Sequence, residues 1–113
     1  MLIHENLKHL NIPRVCVTNS IRETATLMLK NTGQIDFINL LITNEDVKNN
    51  KPHPEAYVTA MVKMGTLPCE TLIIEDSEKG MQAALGTGSH ILKVKNAEEV
   101  TWSRISKILE GIR

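Results

Sequence analysis

Four short, largely apolar runs punctuate this chain: Val15-Cys16-Val17, Leu40-Leu41-Ile42, Leu72-Ile73-Ile74 and Ile91-Leu92-Lys93-Val94. A strand with one face in water alternates apolar and polar residues, whereas a strand apolar at successive positions is covered on both faces, as in parallel sheets. The stretches between these runs carry the helical period instead. Ala56, Tyr57, Ala60, Met61 and Met64 recur on one face of a helix, and so do Trp102, Ile105, Ile108, Leu109 and Ile112 near the end of the chain. Ile21 to Asn31 and Ser77 to Leu85 supply two further helices, and Ile3, Leu7 and Leu10 mark an opening helix that ends near Asn11. Strands alternating with helices give an α/β class, a parallel sheet with helices on both faces. With 113 residues and 42% hydrophobic content, the chain forms one domain or a piece of one, spanning 1–113.

The punctuation agrees with this reading. Pro13 leads into the first run, and the polar turn Thr18-Asn19-Ser20 after it is suited to cap the next helix. Gly33 suits that helix's C-terminal turn. A polar loop from Asn44 to His53 precedes Pro54, which fits the first turn of a helix that Gly65 and Pro68 close.

Thirteen basic and thirteen acidic side chains cancel, so no global field draws the chain to nucleic acid or to an anionic membrane. No apolar run approaches the roughly 18 residues of a spanning helix, and nothing near Met1 resembles a leader. The expectation is a soluble, cytoplasmic protein without nucleic-acid or membrane partners. Cys16 and Cys69 lie in no metal-ligand pattern and are too few for a disulfide framework.

In parallel sheets ligands bind beyond the C-terminal strand ends, so the informative residues follow the apolar runs. A hydroxyl and unpaired N–H groups at a helix start, as at Thr18, Asn19 and Ser20, favour a phosphate; Ser20 as a simple helix cap is the competing reading. Lys51 precedes the stiff segment Pro52-His53-Pro54, which can aim its ammonium at the strand ends, against the alternative of a solvated loop lysine. Glu75 and Asp76 follow a strand directly, where hard oxygen ligands can hold Mg²⁺ together with a substrate phosphate; Asp76 as an N-cap is the alternative. Gly80, in the first turn of the following helix, weakens that helix and signals a close backbone approach.

Together, Val15 to Ser20, Lys51 to Pro54 and Ile73 to Gly80 resemble, in order and spacing, three motifs of the haloacid dehalogenase superfamily, in its β-phosphoglucomutase and phosphoglycolate phosphatase-like branch. Asp46-Val47 and the helix Gly80-Met81-Gln82-Ala83-Ala84 add to the likeness, while Asn50 and His53 depart from the branch's usual glycine and aspartate. The resemblance implies a Rossmann-like core and Mg²⁺-dependent phosphoryl transfer from a small phosphorylated metabolite. Thr18 and Asn19 would hold phosphoryl oxygens, Lys51 would neutralise phosphate and nucleophile, and Glu75 and Asp76 would bind the metal.

The family's nucleophile is the first aspartate of an Asp-x-Asp motif that follows its first, central strand. No Asp-x-Asp occurs in this sequence, and the helical cap that sets substrate choice is also missing. The chain therefore reads as a partial core domain, expected to be inactive alone. The missing strand belongs between the strands that end at Thr18 and Glu75. Either those two strands pair directly, or a strand-donating partner chain or a missing N-terminal segment fills the place. A non-catalytic remnant that binds phosphate or a partner through the retained rim is the alternative function. A response-regulator receiver uses similar residues, but in another chain order.

Overall fold

The computed structural model describes residues 10–112. In chain order it contains β1 (Val15–Val17), α1 (Arg22–Asn31), β2 (Leu40–Ile42), α2 (Glu55–Met64), β3 (Leu72–Glu75), α3 (Glu78–Leu85), β4 (His90–Lys93) and α4 (Trp102–Ile112). All four apolar runs form strands. The expected opening helix falls almost wholly outside the described residues; Leu10 and Asn11 form a turn, with Asn11 at φ 58°.

The strands form two separate parallel pairs, β1 with β2 and β3 with β4. Among the described residues β1 and β3 do not pair, so the expected alternative of direct pairing between those strands does not occur. Their free edges follow from the ladders. The Thr18 N–H donates to the Ile42 carbonyl, so in a parallel strand the alternate residues Val15 and Val17 turn their backbone groups away from β2. The Val94 N–H donates to the Glu75 carbonyl and that of His90 to Thr71, which leaves the backbone of Leu72 and Ile74 on the side away from β4. The apolar side chain of Ile74 is 38% exposed, and all three residues of β1 are only half-buried. Central strands of a closed sheet are buried; these are edges.

One helix floors both pairs. Tyr57 and Met61 of α2 pack with Ile73, Ala83 and Ala84, and with Val17 and Ile91 at the margin. Ala56 and Ala60, on the same helix, pack with Ile42 and against Val15, Val17 and Leu40. On β3 and β4 the residues alternate by face. Ile73 and Ile91 meet the α2–α3 side, whereas Leu72 and Leu92 join Ile105, Ile108 and Leu109 of α4 on the other. The α/β class with helices on both faces is therefore present, as an incomplete core. Gly65 closes α2 in the left-handed conformation at φ 69°, the role its place in the sequence implied. No helix among the described residues is long and apolar enough to cross a membrane.

Candidate functional site

Lys51 joins the two strand pairs. Its Nζ donates to the Val17 carbonyl at the end of β1 (3.3 Å) and to Oε2 of Glu75 at the end of β3 (3.4 Å). The lysine side chain is 12% exposed and that of Glu75 7%, so Lys51 is not a solvated loop residue. The Asn19 side chain holds its backbone in register: Nδ2 donates to the Lys51 carbonyl (3.2 Å) and Oδ1 accepts from the Lys51 N–H (3.1 Å). A cation is thus fixed at the C-terminal strand ends, where α/β sheets bind ligands.

The turn after β1 lies beside it. The Thr18 Oγ1 accepts the Ser20 N–H at 3.1 Å, which leaves the Thr18 hydroxyl proton and the Asn19 N–H without partners among the described residues. Ser20 does not cap α1. Ile21 stands at the N-cap without a side-chain hydrogen bond, and the first free N–H, of Arg22, is taken by Oε1 of Glu45 at 2.8 Å. The helix terminus is satisfied by a carboxylate from the loop after β2, a long-range partner that local capping rules do not see.

Glu75 and Asp76, adjacent in sequence, have opposite surroundings. Oε1 of Glu75 accepts the Asp76 N–H, the Ser77 N–H and the Ser77 hydroxyl, at 3.1, 3.3 and 3.1 Å. Oε2 accepts the Tyr57 hydroxyl and faces the Lys51 ammonium. A carboxylate offers about four lone-pair sites, and these donors occupy them. Burial pushes the Glu75 carboxyl up, but the Tyr57 hydroxyl, the Lys51 charge and the two backbone N–H groups outweigh it and hold the group below its usual range. Burial, then the hydrogen bond to Glu75 and its charge, push the Tyr57 phenol far above its ordinary value.

Asp76 is exposed, and its carboxylate makes no hydrogen bond or ion pair among the described residues. It does not cap α3; Ser77 does, its side chain accepting the Gly80 N–H at 3.0 Å. Gly80 is the close approach its position implied. A Cβ there would lie 1.9 Å from Cδ of Glu75 and 2.0 Å from Oε2. Among the described residues no three His, Cys, Asp or Glu side chains converge on a point that could hold a metal. One exposed carboxylate at the strand ends is a hard oxygen donor of the kind Mg²⁺ takes, commonly one or two such groups completed by water and other oxygens.

Two features of the site were not read from the sequence. Tyr57 enters as a helix-face apolar residue, yet a buried tyrosine hydroxyl needs a partner, and that requirement was the available signal. The second is the anchor of the β2 loop, where Asp46 pairs with Arg22 at 2.5 Å and accepts the buried Thr43 N–H at 2.8 Å.

Residues 2–94 match the haloacid dehalogenase-like hydrolase family, a span that covers β1 to β4 with every site residue above. The chain belongs to the haloacid dehalogenase-like hydrolases. Among relatives of this family, the pyrophosphatase PpaX of Oceanobacillus iheyensis is 31% identical over 113 residues, covering 96% of this chain and 53% of that protein. The validoxylamine A 7'-phosphate phosphatase of Streptomyces hygroscopicus subsp. limoneus is 33% identical over 87 residues, 77% of this chain and 40% of that protein. The haloacid dehalogenase phosphatase of Thermococcus onnurineus superposes with a TM-score of 0.83 at 23% identity, over 98% of this chain and 56% of that one. A putative β-phosphoglucomutase from Thermotoga maritima gives 0.80 at 21% identity, over 98% and 56%. These two structures establish the Rossmann-like fold. The chain spans about half, or less, of the length of the relatives it matches.

Proposed function

We propose that this chain is the phosphate-binding half of a cytoplasmic, Mg²⁺-assisted phosphatase or phosphomutase acting on a small phosphorylated metabolite. The observation that carries the reading is the Lys51 ammonium, held between the ends of β1 and β3 beside the Thr18 hydroxyl proton and the Asn19 N–H, two donors without partners among the described residues. A phosphate seated there meets a fixed positive charge, a hydroxyl and a backbone donor, with Ser20 at the edge. Such prearranged donors stabilise charge that develops on a phosphoryl group without reorganising. Asp76 would hold the metal, which polarises phosphoryl oxygens when bound; Glu75 stands behind it as counter-ion to Lys51.

The nucleophile is an aspartate that a further strand brings into the opening between β1 and β3. The backbone edges that no strand covers among the described residues, together with the exposed Ile74, support a strand there, from a preceding segment of a longer chain or from a partner. The test titrates orthophosphate and a panel of small phosphate esters against the purified chain, with and without Mg²⁺. Binding without hydrolysis is expected, with hydrolysis appearing once a strand bearing Asp-x-Asp is fused ahead of Met1. Binding that never acquires turnover identifies a phosphate-holding module instead, and absence of binding refutes both readings.

A further inference from the structure

The Glu75 carboxylate serves two donors from one oxygen. Oε1 is saturated by the turn into α3, which fixes the carboxylate plane. Oε2 is left to the Tyr57 hydroxyl and the Lys51 ammonium. The hydroxyl hydrogen-bonds that oxygen, while the ammonium stands at 3.4 Å, beyond the ~2.7–2.9 Å of a full charge-assisted hydrogen bond. The ring of the same tyrosine lies under the cation, its centroid 5.5 Å from Nζ, within the ~6 Å reach of a cation–π contact. Tyr57 is itself held rigidly, 7% exposed among Met61, Ile73, Ala83 and Ala84.

We infer that Tyr57 is a positioning residue for Lys51: its hydroxyl occupies the Glu75 oxygen that would otherwise draw the ammonium inward, and its ring supports the cation at the strand ends. Neutralised by a close carboxylate, a lysine offers little charge to an incoming anion. Held at arm's length by a competing donor, it keeps its charge and at least one N–H for one. The functional consequence rests on the phosphate-site reading; the positioning does not.

The test compares the full chain with Y57F and with Y57F/E75Q. Phenylalanine keeps the ring and the packing and removes only the hydroxyl. Brief acetylation followed by peptide mass spectrometry measures the reactivity of Lys51 against the exposed Lys48 and Lys63, and equilibrium dialysis measures orthophosphate affinity. In Y57F the Lys51 reactivity and the phosphate affinity should each fall about fivefold, the effect of one net hydrogen bond. In Y57F/E75Q, with no carboxylate to close on, Lys51 reactivity should return to the wild-type level or above. Unchanged Lys51 reactivity in Y57F, or an equal fall in the double variant, overturns the inference. If the wild-type chain binds no phosphate while the reactivity pattern holds, the positioning stands and the phosphate reading fails.

Discussion

Gly80→Ala should be among the most damaging single-methyl additions in this chain. In an ordinary helix the change is stabilising by up to about 1 kcal/mol, since alanine is the better helix former. Here the new Cβ would fall 1.9 Å from Cδ of Glu75, closer than any non-bonded contact, and the carboxylate has to leave its place. Its departure breaks the hydrogen bond from Tyr57 and the pairing with Lys51, in a pocket where both partners are nearly buried. Hydrogen bonds to charged groups contribute about 1.5–3 kcal/mol each, and part of that returns as the displaced groups rehydrate. Set against the helix gain, the net loss is about 2–4 kcal/mol, a large share of the roughly 5–15 kcal/mol that holds a domain together. Urea denaturation followed through Trp102, the single tryptophan, reads it as a midpoint lowered by about 1–2 M at an ordinary slope. The Glu75→Ala background supplies the control: with the carboxylate gone, Gly80→Ala should lose most of its effect, a coupling that distant sites do not show. A Gly80→Ala midpoint equal to or above wild type would mean that the Glu75 carboxylate moves aside at no cost.

Three further outcomes follow from the same geometry. The folded-state carboxyl of Glu75 lies below its ordinary 4.5, so its stabilisation is complete above that value and is lost as pH falls through the lower folded one; in acid titrations of stability, Glu75→Gln should flatten that limb. Asn19→Ala removes both hydrogen bonds to the Lys51 backbone and should destabilise by about 1–2 kcal/mol, with faster hydrogen exchange at the Lys51 amide as the local readout. In an enzyme completed with the nucleophile strand, Asp76→Ala should abolish Mg²⁺-dependent turnover while the unfolding free energy from urea titration stays within ~0.5 kcal/mol of wild type, because the carboxylate is exposed and makes no hydrogen bond or ion pair among the described residues.

The strands were legible because a covered strand leaves a local mark, the run of apolar residues at Val15, Leu40, Leu72 and Ile91. Gly80 was legible for a similar reason, since a glycine inside a helical pattern needs a cause, and Glu75 is that cause. The helix caps were less legible. Ser20 was the residue of the right type, but Glu45 reaches across from another loop; for Asp76 the cap was only the alternative reading, and Ser77 takes that place. The Tyr57–Glu75–Lys51 cluster was illegible in local pattern, because its members are contributed by a helix, a strand end and a loop, and only the fold brings them together. The break between the two strand pairs has no local mark either. Each strand looks like a central strand, and its free edge appears only once the ladders are drawn.

Whether the strand ends hold a phosphate through Lys51 is decided by calorimetric titration of orthophosphate into the wild-type chain and Lys51→Ala. Saturable binding that weakens at least tenfold in the variant, with the urea midpoint tracked alongside, is the predicted result. Absence of binding to the wild-type chain, or equal affinity in the two proteins, would contradict it.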